Sequence, residues 1–227
     1  MHDLAGADPA VRFSPYCWRV RMALAHKGLD VETIPWRFTE KDAIAFSGQG
    51  LVPVLRDGDT VVHDSWAIAE YLDKTYPDRP ALIEGEQGRA LASLTRHYAQ
   101  NVLATPILKG VVGDLFKAIA PGDQPYFRES REKRLGMKLE QFQIAPEAAA
   151  TQLGVALSPV RALLKEQPFV NGRRPAFADY CLFGVFMWAR GVSAVELIAA
   201  EDPVHAWRER MLDLFDGLAR KSPRAVG

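Results

Sequence analysis

The feature that most constrains this chain is a change of pattern at the proline-rich stretch "PDRPALIEGE". Upstream of it, short strand-like and helix-like segments alternate; downstream, strand signals nearly vanish and helical periodicity takes over. A chain that switches in this way is expected to fold as a small α/β unit joined to a larger all-helical one. The reading places the first domain at 1–77, the connector at 78–86 and the helical domain at 87–227.

Within the first domain the expected order is β-α-β-α-β-β-α. "HDLAG" reads as a brief strand. From Ser14 to Lys27, Cys17, Val20, Ala23 and Leu24 recur at helical spacing, and Gly28 follows where a helix stop belongs. "LDVETIPW" reads as a strand and "TEKDAIAF" as a short helix. "VPVLRDGDTVVHD" is the clearest hairpin, turning at Asp57-Gly58-Asp59. "DSWAIAEYLDKTYP" then reads as a helix capped by Asp64 or Ser65 and closed by Pro77. Downstream, a long helical pattern from Gly88 to Lys117 should break near Pro106 and Gly110, where proline removes a donor. Further helices are expected near Tyr126–Gln143, Ala148–Lys165, Phe177–Arg190 and Pro203–Arg220.

Charge and composition remove several classes of function. Lys plus Arg equals Asp plus Glu at 28 each, so no overall field recruits nucleic acid or an anionic membrane. No apolar run approaches the ~20 residues of a membrane span, and "MHDLAGADP" lacks the basic start and apolar run of a signal peptide. The two cysteines, Cys17 and Cys181, are no disulfide framework and fit a reducing cytoplasmic setting. The five histidines stand at no metal-ligand spacing, so no metal site is expected. There is no G-x-S-x-G and no phosphate loop.

Three local signals carry chemistry, and each has a plain structural explanation beside it. Ser14-Pro15 is a well-formed helix start, with serine as N-cap and proline at the first helical position. The same geometry puts a hydroxyl and free N–H groups at the positive end of a helix, where an anion is stabilised. A thiol of pKa roughly 8.5 needs about 2.7 kcal/mol of preference for the thiolate to drop by ~2 units. One hydroxyl hydrogen bond to a charged group supplies ~1.5–3 kcal/mol and the helix end adds ~0.3–1 kcal/mol. Cys17, one turn on, shares a stripe with Val20 and Leu24, which points it to the core. Val52-Pro53, at the hairpin entrance, is either a plain strand start, where no ladder donor is needed, or a cis peptide that turns the backbone groups of Val52 outward. Asp64-Ser65, at a helix start, could take an ammonium and a carboxylate, the two ends of an amino-acid head.

In their order and spacing, Ser14, Val52-Pro53 and Asp64-Ser65 resemble the cytosolic glutathione S-transferases. The resemblance covers almost the whole chain, "FADYCLFGVFMWA" included. "FSPYCWRVRMALAHKGLD", "DSWAIAEYLDKTYPDRP" and "DLFDGL" are similar to bacterial glutathione-dependent β-etherases and fungal etherase-like, serine-type transferases. It implies a thioredoxin-like N-terminal domain, an all-α C-terminal domain, glutathione as co-substrate and a homodimer. It also implies roles. Ser14 would donate to the glutathione thiolate, and Val52, held by Pro53, would pair with the cysteinyl backbone. Asp64 and Ser65 would hold the γ-glutamyl group, and Lys41 or Gln49 the glycyl carboxylate. Tyr16, Trp36, Tyr98 and Asn101 would wall the second-substrate pocket.

The activity implied is transfer of glutathione to a hydrophobic aromatic electrophile, with β-aryl ether cleavage as one version. The alternatives are a non-catalytic ligand-binding protein and a glutathione-dependent thiol–disulfide reductase using Cys17. Two departures from the pattern stand out. Relatives carry apolar residues ahead of the segment matching "HDLAG", so the first strand should be clipped. Ala176 stands where a capping Ser or Thr is favoured, so that helix start should be looser or capped otherwise, at a cost of ~1 kcal/mol.

Overall fold

A computed structural model describes residues 1–225. The chain opens with β1 (His2–Leu4), α1 (Pro15–His26), β2 (Ile34–Trp36) and a 3₁₀ helix over Lys41–Ser47. β3 (Val54–Asp57), β4 (Thr60–His63) and α2 (Ser65–Thr75) complete the first domain. The sheet order is β2-β1-β3-β4, with β1 parallel to β2 and the β1–β3 and β3–β4 pairs antiparallel. This is the expected thioredoxin-like arrangement, with one change: "TEKDAIAF" forms 3₁₀ rather than α-helix. Alanine, isoleucine and phenylalanine there have little length in which to nucleate an α-helix. β1 is short and central, and the Met1 ammonium donates to Glu32 O at 2.7 Å beside it.

The remaining elements are helical: α3 (Gly85–Tyr98), α4 (Ala104–Ala118), α5 (Gln124–Leu135), α6 (Leu139–Phe142), α7 (Pro146–Ala156), α8 (Ser158–Glu166), α9 (Phe177–Val192) and α10 (Pro203–Gly217). Two expected long helices are each split. Gly136 in the left-handed region ends α5, and a helical-to-turn step at Leu157 precedes Pro159 of α8. The break in the long helical pattern also moves. It lies at Ala99–Leu103, a π-helical turn, rather than at Pro106 and Gly110, which sit inside α4.

One core runs from the sheet into the helices. Its seam is α1 against α9, and Gly184 lets them meet: a Cβ there would stand 2.3 Å from Pro15 O. Two carboxylates, Asp73 half-buried and Asp179 fully buried, tie distant segments together. Asp73 accepts from Leu82 N and Ile83 N at 2.9 and 2.8 Å and pairs with the buried Lys27 at 2.6 Å, which pins the connector to the first domain. Asp179 accepts from Val170 N, Asn171 N, Ala176 N and Trp207 Nε1. The start of α9 is thus capped from the third helical position instead of from Ala176, so the missing cap is replaced and the segment before α9 is tied down with it.

Candidate functional site at the inter-domain cleft

A cavity of about 410 Å³ opens between the two domains. Ser14, Tyr16, Trp36, Val52 and Asn101, all anticipated from sequence, line it. Ser14 caps α1 as expected: its Oγ accepts from Cys17 N at 3.2 Å, and Pro15 occupies the first turn. With the oxygen accepting inward, the hydroxyl proton remains available to a group in the cleft. Cys17 itself is fully buried. Burial pushes its thiol well above the ordinary range, and the neighbouring Asp3 carboxyl adds to that.

The Val52–Pro53 peptide is cis. Neither the N–H nor the C=O of Val52 has a hydrogen-bond partner among the described residues, because the ladder begins only at Val54. Both groups are left for a ligand at the edge of the sheet.

At α2 the cap is Asp64. Its Oδ1 accepts from Trp66 N and Ala67 N at 3.0 and 3.1 Å, and its φ of 70° is unusual for a non-glycine residue. Oδ2 stays unengaged. Ser65 is buried, yet its N–H and hydroxyl meet no partner among the described residues. A carboxylate oxygen thus sits beside two open donors at a helix N-terminus.

Lys41 and Gln49 differ in what they have left to give. Gln49 spends its amide locally, accepting from Leu51 N at 2.6 Å and donating to Leu51 O at 2.6 Å and Ser47 Oγ at 3.2 Å. Lys41 donates to Gly50 O at 2.6 Å and lies 4.8 Å over the Trp36 ring and 5.3 Å from that of Tyr126, keeping further donors. Tyr98 is a correction. It does not line the cleft; its hydroxyl donates to Ala156 O on α7, so its ring is packing. The π-helical turn that follows brings Gln100 and Asn101 to the cavity side by side.

Other residues of the wall were not read from sequence. Phe13, Phe38, Tyr126, Phe127 and Trp188 supply aromatic faces, and Arg19, Arg131 and Arg134 supply charge. Phe38 is held by Asp123, which is buried and accepts from Phe38 N at 3.1 Å, Thr39 N at 3.0 Å and Thr39 Oγ1 at 2.7 Å. Among the described residues no cluster of side chains could hold a metal ion, and no helix is long and apolar enough to cross a membrane.

Comparison with known proteins gives this geometry its family. The family model "Glutathione S-transferase, C-terminal domain" matches residues 90–215, and "Glutathione S-transferase, N-terminal domain" matches residues 13–75. The chain belongs to the glutathione S-transferase family. A glutathione transferase of Phanerochaete chrysosporium superposes with a TM-score of 0.75 at 30% identity, over 95% of this chain and 90% of that one. A glutathione S-transferase of Ceriporiopsis subvermispora, solved in complex with glutathione, shares the fold at 24% identity, with a TM-score of 0.82 over 95% of each chain. Glutathione S-transferase Z1 of Arabidopsis thaliana is 45% identical over 78 residues, 32% of this chain and 35% of that protein. The match thus spans about a third of that relative's length.

Proposed function

We propose that this chain is a glutathione transferase that ionises the glutathione thiol at Ser14 and directs the thiolate at an aromatic electrophile in the cleft. The observation that carries the reading is the start of α1. An alcohol with a free proton and a helix N-terminus face the cavity there, while the nearby thiol of Cys17 is buried and held protonated. Glutathione supplies the sulfur, and the protein supplies a hydrogen bond, a dipole and proximity to the second reactant. Val52 would pair with the cysteinyl backbone beside cis Pro53. Asp64 Oδ2 would take the γ-glutamyl ammonium, and the Ser65 N–H and hydroxyl its carboxylate. Lys41 is favoured over Gln49 for the glycyl carboxylate, since the Gln49 amide is already engaged.

In the etherase version the thiolate attacks the carbon bearing an aryl ether. A carbon–sulfur bond forms as the carbon–oxygen bond breaks, and the phenolate leaves with the electron pair. The aromatic faces of Trp36, Phe38 and Tyr126 support a substrate of this kind. A dimer of two such chains is the assembly this reading implies, and sedimentation velocity measures it.

The test is a panel of β-aryl ethers, aryl halides and disulfides incubated with glutathione and the full chain, with products read by mass spectrometry. Thioether products that disappear in Ser14→Ala and persist in Cys17→Ser are expected. Disulfide exchange that survives Ser14→Ala and dies in Cys17→Ser would move the function to the reductase alternative. Tight ligand binding without any product would make the chain a binding protein.

A further inference from the structure

The charge on the cleft is one-sided. Arg19, Arg131 and Arg134 line it, and no Asp or Glu does. Some arginines find acids: Arg128 meets Glu132 and Glu140, and Arg208 meets Glu196, while the half-buried Arg96 meets none among the described residues. Arg19 has no such partner. It is 3% exposed, takes part in no ion pair or hydrogen bond among the described residues, and its Nε is buried with nothing to donate to. Its guanidinium lies 4.9 Å from the centre of the Tyr16 ring. Holding a cation out of water with no counter-ion is strongly unfavourable, and an anion entering the cleft would offset that cost.

Arg131 repeats the pattern on the α5 wall. It lies 5.0 Å over the Phe38 ring and 4.7 Å over that of Phe127, and its one hydrogen bond runs to Ser130 Oγ at 2.9 Å. Two aromatic faces hold the planar fork in place while most of its donors stay open. A neutral aryl ether would leave both guanidinium groups unanswered. An aromatic acid would use the apolar wall and the charge together.

We propose that the second substrate is an aromatic carboxylate, its acid group received by Arg19 and attracted further by Arg131. The word "substrate" rests on the glutathione-transferase reading; the anion site does not. Glutathione brings carboxylates of its own, but the groups argued above to receive them, Ser65 and Lys41, do not line this cavity, whereas Arg19 and Arg131 do.

The test is calorimetric titration of the full chain, without glutathione, with 4-nitrocinnamate and with its neutral methyl ester. The native protein should bind the acid at least about tenfold more tightly than the ester, as a charge-assisted fork to a carboxylate provides. Arg19→Met should bring the two affinities together while leaving Tm unchanged or higher, since an unpaired buried cation has been removed. Arg19→Lys should keep part of the preference. Equal affinities in the native protein, binding of neither compound, or a preference that survives Arg19→Met would each overturn the proposal. So would Arg19→Met weakening glutathione by the same factor as the acid. The transferase reading fails separately, on the absence of thioether products, and that outcome leaves the acid-to-ester ratio standing.

Discussion

The two walls of the cleft are built in different ways. The first domain offers chain ends and backbone, with the α1 start at Ser14 and the Val52 peptide groups on the cleft and the α2 start at Asp64-Ser65 outside the cavity lining, and it adds the side chains of Tyr16, Arg19, Trp36 and Phe38. The helical wall is made of long side chains brought in from α4, α5, α9 and the π-helical turn. A tripeptide co-substrate has a fixed pattern of peptide groups and charges, which backbone can match. A second substrate with a different outline is met by side chains, which can change without disturbing the elements that carry them. The cleft thus pairs a rigid half with an adjustable one.

This division can be broken by substitution, and the largest effect is expected at Asp123. Asp123→Ala leaves the buried Phe38 N without an acceptor and hands the donors of exposed Thr39 to water, at a cost of roughly 2–4 kcal/mol. A lowered Tm and a raised KM for the second substrate should accompany an unchanged Kd for glutathione. Equal losses in both affinities would mean that the walls are not separable.

Ser14→Ala acts where the glutathione sulfur would sit. Loss of one hydrogen bond to a charged sulfur, ~1.5–3 kcal/mol, should lower kcat/KM for conjugation by about tenfold to hundredfold. Cys17→Ser provides the control from the same helix and should keep the activity. Gly184→Ala tests the seam that aims Ser14. A methyl group there meets Pro15 O at 2.3 Å, and backbone cannot swing aside. A loss of ~1–3 kcal/mol in stability is expected, together with slower conjugation as the α1 start shifts. The smallest effect is reserved for Tyr98→Phe, which removes only the hydrogen bond to Ala156 O. It should cost ~0.5–1.5 kcal/mol in a denaturant melt and leave the kinetics alone.

The same division governs what could be read from the sequence. Ser14-Pro15, Val52-Pro53 and Asp64 are local signals: a cap, an X-Pro step and a cap. Each keeps its meaning whatever packs around it, and together they carried the first-domain wall. The helical wall depends on where each helix turns its faces. The resemblance assigned Tyr98 and Asn101 to the cleft and not Gln100; Tyr98 ends α3 with its hydroxyl on Ala156 O, and the π-helical turn after it brings Gln100 beside Asn101. Arg19 was passed over as well. An arginine on a helix is ordinarily solvated, and equal totals of acidic and basic residues conceal a cleft whose charged lining is all cationic.

In the proposed function an alcohol and a helix end hold another molecule's sulfur as an anion. Ultraviolet titration of the glutathione thiolate bound to the full chain tests this most directly. A thiol pKa lowered by ~2 units from its free value, and returned most of the way by Ser14→Ala, is the expected result. A bound thiol that titrates as it does in water, or a lowered pKa that Ser14→Ala leaves in place, would contradict it.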